Sequence, residues 1–216
     1  IRKYMWGNIM INLFIDTSDK DVSIGIIKDN ILINKVTESI PNSHSIYTTY
    51  FIKELLDSSK LQPNDIDRIL VVSGPGSFTG IRIGVTIAKV YAYLLKKEII
   101  SISSLKILAI SSKEKNNYYL SLIDAKHDNY YIGLYNENYD EVIAESFSNL
   151  EEVKYLIDKY NPTILSNNDL SILNYNINKT ILDLPKIIEY YKDKKTENPH
   201  LVNPNYLKLP QALEKW

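Results

Sequence analysis

The feature that most narrows the fold of this chain is a repeat. IDTSDKDVSIGIIKDN, from Ile15, lies without a gap over IDAKHDNYYIGLYNEN, from Ile123, 108 residues further on. Each copy reads as a strand ending in aspartate (Asp16, Asp124), a short turn, and a second strand with one interior glycine (Gly25, Gly133). An acidic-then-asparagine turn closes both, Asp29-Asn30 and Glu137-Asn138. Two hairpins alone could match by chance, but the segments after them also run in parallel. The first half predicts strands at 10–16, 22–28 and 31–36, then a helix from Ser43 or Ser45 to about Ser59. A strand at 68–73, a helix at 79–96, a strand at 98–102 and a helix at 104–112 complete it. The second half predicts strands from 141 to 147, 163 to 166 and 181 to 184, with helices at 150–160 and 186–194. Each half is about βββαβαβα, which predicts an α/β protein of two lobes made by duplication. The polar stretch SKEKNN sets the boundary, giving a first lobe at 1–113 and a second at 114–216. Met10 reads as the natural start, with residues 1–9 as an upstream extension.

Between the fourth strand and its helix stands SGPGSFTGIRIG, Ser73–Gly84. Gly74, Gly76 and Gly80 allow positive φ or close backbone approach, and Pro75 fixes one angle. Ser77 or Thr79 can cap the helix that Phe78, Gly80 and Arg82 help to begin. A glycine-rich turn before a helix invites a phosphate reading, but the spacing fails. Counting from Gly74, Thr79 stands where a Walker loop needs its second glycine, and no lysine comes after it. The dinucleotide pattern breaks at the same residue.

The helix after the turn is apolar nearly all round, with a narrow polar stripe of Arg82, Thr86, Lys89, Tyr93 and Lys96. Such a helix is covered on more than one side, by a neighbouring helix or by another protein. The helix at 45–59 carries more aromatics than one core face needs. On the docking reading the contact residues are Tyr47, Tyr50, Phe51 and Leu55 on one helix. Ile83, Ile87, Tyr91 and Leu94 are those on the other.

Other chemistries find little support. There is no cysteine, so disulfides, thiolate catalysis and cysteine–zinc sites are excluded. The three histidines, His44, His127 and His200, form no ligand pair, and no metal site is expected. Net charge of −1 gives no global attraction for nucleic acid. No apolar run reads as a membrane span. Asp16 and Asp124 could face a weak nucleotide cleft. The turns after them, Thr17–Lys20 and Ala125–Asp128, lack the glycine that lets backbone amides wrap phosphate.

SGPGSFTGIRIG resembles the bacterial TsaB (YeaZ) family, as do IDTS and NSHS before it. ISSLKILA and IDAKHDNYY after it, and the closing NPNYLK near Ala212, extend the resemblance over most of the chain. The resemblance implies an actin-like ATPase (ASKHA) fold of two RNase-H-like lobes and a place in making threonylcarbamoyladenosine beside the anticodon of tRNAs. It implies a non-catalytic partner of the paralogue TsaD, joined by the ATPase TsaE, meeting tRNA through the complex and able to form a homodimer. A cytoplasmic protein is expected, with no cofactor of its own and at most weak ATP or ADP binding in the complex. TsaD proteins carry a metal-binding H-x-x-x-H where this chain has Ser104 and Leu108. Lys126 stands where the family commonly has arginine. The alternatives are an ATP-dependent phosphotransferase of the same superfamily, which needs a working phosphate cleft, and a peptidase, for which no nucleophile or metal pair is present.

Overall fold

Short apolar runs, most of them buried on both faces, set the strands of the first sheet in this computed structural model, which describes residues 9–40 and 43–208. β1 (Ile11–Asp16), β2 (Asp21–Lys28) and β3 (Ile31–Ser39) form an antiparallel meander. Asp29 and Asn30 both adopt positive φ, the geometry a tight hairpin turn requires. α1 (His44–Ser58), β4 (Arg68–Gly74), α2 (Phe78–Leu95) and β5 (Glu98–Ser103) come next, and β4 pairs parallel to β1. The sheet order is β3-β2-β1-β4-β5. Leu13, Ile15, Val22, Ile24 and Ile26 lie on one face with Ile69 and Val71, and α1 and α2 cover them through Ile52, Leu56, Ile81 and Val85. Each such aliphatic side chain contributes about 1.5–3 kcal/mol on burial. By length and composition α2 could cross a membrane. Here its Gly80, Ile81, Gly84, Val85, Ala88 and Ala92 face protein instead.

After α3 (Ser104–Ile110), β6 (Tyr118–Asp124), β7 (Asn129–Asn136) and β8 (Glu141–Asn149) repeat the meander. α4 (Leu150–Tyr160), β9 (Thr163–Leu165), β10 (Ile177–Asn178) and α5 (Leu184–Tyr191) complete the described elements. The second sheet runs β10-β9-β6-β7-β8, the same order as the first when its strands are counted in sequence. Leu120, Leu122, Tyr130, Ile132 and Leu134 pack against Val153, Leu156 and Ile157 of α4. The second copy is abbreviated: a single turn, Ser171–Leu173, stands between β9 and β10 in place of a helix.

Two expectations change. The strand foreseen at 181–184 is absent, and the pairing falls earlier, at Ile177–Asn178. Residues 180–183 are tied instead by side chains, Thr180 N–H to Asn167 Oδ1 and Asp183 N–H to Ser111 Oγ. Pro185 sits in the first turn of α5, where its missing N–H costs nothing, so the helix begins at Leu184.

The chain divides into two compact units. The first holds residues up to Ser73, Ser77–Ile102 and Leu184–Pro204; the second holds Gly74–Gly76, Ser103–Asp183 and the residues from Asn205. α3 therefore goes with the second unit and α5 with the first, so the units are not the contiguous stretches 1–113 and 114–216. Residues 1–8 of the segment expected to be an extension, and Ala212, lie outside the described residues.

The return of the chain to the first unit completes it. The added Cβ of any residue replacing Gly25 would strike Leu184 of α5. Glu197 N–H donates to the Ile99 carbonyl at 2.9 Å, occupying the outer edge of β5. Its carboxylate accepts from Ser101 N–H at 2.6 Å and Ser101 Oγ at 2.7 Å. Val202 is buried in the first core, while Lys89 Nζ donates to the carbonyls of His200 and Val202.

Candidate functional site

β4 is buried along its whole length and must turn sharply to release α2. Gly74 at φ 114° and Gly76 at φ 156° make that turn, on either side of a cis Gly74–Pro75 bond. Only glycine adopts such angles readily. Of the two candidate caps, Ser77 serves: its Oγ accepts from Gly80 N–H at 3.2 Å. Thr79 lies one residue inside the helix. Arg82 lies over the Phe78 ring at 4.8 Å.

The turn is closed by the residues that follow β1 rather than left open. Ser77 N–H donates to the Ser18 carbonyl at 2.7 Å, and Thr17 Oγ1 donates to the Gly80 carbonyl at 2.7 Å. A Cβ on Gly80 or Gly84 would run into Thr17. Thr17 did not stand out in the sequence. The signal that could have found it is the four-residue spacing of Gly80 and Gly84, which puts two absent side chains on one helix face.

The foreseen docking residues separate into two sets. Phe51 and Leu55, at 9% and 6% exposure, belong to the first core and offer little to a partner. The helical spacing was right, but the stripe they occupy is the one that faces the sheet. Tyr47 and Tyr50 remain exposed, their rings beside Phe51 at centroid distances of 5.8 and 5.7 Å, the first tilted and the second edge-on. Ile46, at 70% exposure, joins them. On α2, Ile83, Ile87 and Tyr91 are half-buried, and Ile87 and Tyr91 lean on the same core. Leu94 stands 69% exposed, with Val90 and Tyr93 also open. α1 and α2 pack on one another, so both carry apolar side chains beyond what the core absorbs. His44, the first residue of α1, donates from Nε2 to the Asp19 carbonyl at 3.1 Å. Ser43 precedes it at the cap position without a side-chain cap bond.

The two aspartates make the same local turn in different settings. Asp16 Oδ1 accepts from Ser18 N–H at 2.9 Å and Ser18 Oγ at 2.7 Å. Burial pushes its carboxyl above the ordinary 3.8, against the pull of the Ser18 bonds. Asp124 Oδ1 accepts from Lys126 N–H at 2.8 Å, and its Oδ2 pairs with Lys126 Nζ at 2.7 Å. Burial would raise this carboxyl, but the Lys126 bonds outweigh it and hold it below 3.8. Lys126, His127 and Asp128 all take positive φ. The amides of Ser18, Lys20, Ala125, Lys126 and Asn129 are all bonded within their own turns.

The pairing registers also show that Asp16 and Asp124 are not equivalent positions. Ile15 pairs with Ile24, whereas Leu122 pairs with Ile132. Ile15 lies in the core built on α1 and Leu122 in the core built on α4. By strand alternation Asp16 then points away from α1, and Asp124 lies on the same side as Leu122. The ungapped repeat slips by one residue in the turn, so Asp16 corresponds to Ile123.

Ser104 Oγ donates to the Pro75 carbonyl, and Leu108 is buried in the second unit. Among the described residues no cluster of three histidine or carboxylate side chains is placed to hold a metal. Sequence spacing gave no sign of Tyr135, wholly buried, whose hydroxyl donates to Glu145 Oε1 at 2.7 Å.

The family model for TsaD, tRNA N6-adenosine threonylcarbamoyltransferase, matches residues 31–187. The chain is 28% identical over 221 aligned residues to the tRNA threonylcarbamoyladenosine biosynthesis protein TsaB of Bacillus subtilis. That alignment covers 94% of this chain and 96% of the relative. A TsaB of Buchnera aphidicola from Acyrthosiphon pisum is 29% identical, over 93% of this chain and 84% of its own. YeaZ from Pseudomonas aeruginosa superposes with a TM-score of 0.76 at 21% identity, covering 92% of this chain and all of that one. That likeness establishes the fold, an α/β fold with two mixed five-stranded sheets shared with YeaZ. The chain belongs to the TsaD family of tRNA N6-adenosine threonylcarbamoyltransferases, on its TsaB/YeaZ branch.

Proposed function

We propose that this chain is the TsaB-type partner subunit of the TsaD-containing complex that installs the threonylcarbamoyl group on adenosine beside the tRNA anticodon, and that it has no catalytic centre of its own. The observation that carries this is the end-to-end match to TsaB proteins, one of which is covered over 96% of its length.

Three features of the molecule support the finer reading. The amides of Ser18 and Lys20 after Asp16, and of Ala125, Lys126 and Asn129 after Asp124, are spent on local bonds, which disfavours a phosphate grip. Ser104 and Leu108 serve packing where the TsaD relatives' motif places histidines. Ile46, Tyr47 and Tyr50 of α1, with Ile83, Ile87, Val90, Tyr91 and Leu94 of α2, form the surface we assign to TsaD. The same surface could join two copies of this chain. TsaE and tRNA join through the assembled complex, in the cytoplasm, and weak ATP or ADP binding would belong to that assembly.

Co-purification with the TsaD of the same organism tests the proposal. A stoichiometric complex is expected, together with tRNA modification that stops when this chain is omitted. Full modification by TsaD and TsaE alone would overturn the partner role. ATP turnover by the isolated chain would overturn the non-catalytic one.

A further inference from the structure

The polar residues just after β1 make hydrogen bonds that the sheet itself does not need. Thr17 is wholly buried. A buried hydroxyl needs an acceptor, and Thr17 takes the carbonyl of Gly80, inside α2, at 2.7 Å. The next residue, Ser18, accepts from Ser77 N–H at 2.7 Å, one of the amides a helix start leaves without an internal partner. Two consecutive residues thus hold α2 at its cap and again three residues on. Gly80 and Gly84 leave the space in which Thr17 sits, since a Cβ on either would collide with it. Asp16 in turn fixes Ser18 through both its amide and its hydroxyl.

From this two-point attachment we propose that Thr17, held in place through Ser18 by Asp16, is a positioning residue that sets the pose of α2 for docking to TsaD. Asp16 serves the partner surface instead of a nucleotide. The inference rests on the reading of α1 and α2 as the docking surface. A helix is a lever. Leu94 lies 14 residues beyond Gly80, about 21 Å along the axis at the usual rise, so a tilt of about 5° at the turn moves it by about 2 Å. Packed interfaces match protein interiors in density and do not absorb such a shift freely.

The test compares Thr17→Val, which keeps the shape and removes the donor, with Thr17→Ser, which keeps the donor. Hydrogen exchange of residues 78–84 is read in the isolated chain, and TsaD affinity is read by titration. Thr17→Val should speed exchange in the first turns of α2 and weaken TsaD binding about tenfold, the scale of one buried hydrogen bond. Thr17→Ser should restore both. Should Thr17→Val fail to fold, Asp16→Ala and Asp16→Asn replace it. The alanine variant should weaken binding, and the asparagine variant, which keeps an acceptor for Ser18, should not. Unchanged exchange and binding in Thr17→Val, or a loss that serine does not rescue, would overturn the proposal. Leu94→Glu separates the two readings. If it binds TsaD normally, the docking surface is wrong. If it loses binding while Thr17→Val does not, the surface stands and the positioning role falls.

Discussion

The β1–β2 and β6–β7 turns look alike in sequence and differ in what they do. Both begin with an aspartate that accepts the amide two residues on. In the first unit the turn is drawn under α2, the aspartate's partner is an uncharged serine, and burial raises the carboxyl. In the second the turn stays near solvent, Lys126 neutralises the aspartate, and three successive residues take left-handed backbone angles. A duplicated hairpin can thus keep its topology while its register slips, and one slipped residue moves a carboxylate to the other face of its sheet.

The register itself is the part most sharply tested. If Leu122 is the counterpart of Ile15, Leu122→Ala should cost about 3 kcal/mol by chemical denaturation, as large-to-small changes in a packed core do. Ile15→Ala should cost a similar amount, and Ile123→Ala, which is only half-buried, clearly less. A greater cost at Ile123 than at Leu122 would restore the ungapped repeat.

Glycines give the next largest contrast. At Gly80 an added Cβ meets the backbone carbonyl of Thr17, which cannot step aside, whereas at Gly133 it meets the end of the Tyr135 side chain. Gly80→Ala should therefore destabilise by about 3 kcal/mol, at the upper end of overpacking costs, and Gly133→Ala by about 1–2 kcal/mol. Equal losses would mean that α2 is not seated on Thr17.

The smallest effects concern the aspartates. Because the Asp16 carboxyl is raised in the folded chain, its folding contribution is full below 3.8 and declines as pH rises through the higher folded value. Asp124 has the opposite sign: its contribution is present above 3.8 and is lost as pH falls through the lower folded value. Asp16→Asn should remove a stability loss on the alkaline side of 3.8. Asp124→Asn should cost about 0.5 kcal/mol at neutral pH, since Lys126 is largely exposed and solvent screens the pair. That cost should vanish in acid. Matching pH profiles for the two variants would erase the distinction.

Much of the architecture was legible because it depends on spacing. The strand runs, the helix at 79–96 and the tight turn before it come from hydrophobic period and glycine placement. The register was not legible, because matching Gly25 with Gly133 aligns β2 with β7 correctly and hides the extra turn residue before them. Nor could the sequence tell which stripe of α1 faces the sheet, since Tyr47, Phe51 and Leu55 share a spacing with Ile52 and Leu56. The covering of the first sheet's second face by α5 is also silent, as an amphipathic helix states that it needs a partner and not which one.

The strap formed by Glu197 and Val202 bears on how the protein is made. The first unit cannot finish its β5 edge or fill its core until residues synthesised after most of the second unit have left the ribosome. During translation the first unit is thus held back as an incomplete body with an open strand edge. A chain cut short after Asp183 should leave that edge exposed and self-associate.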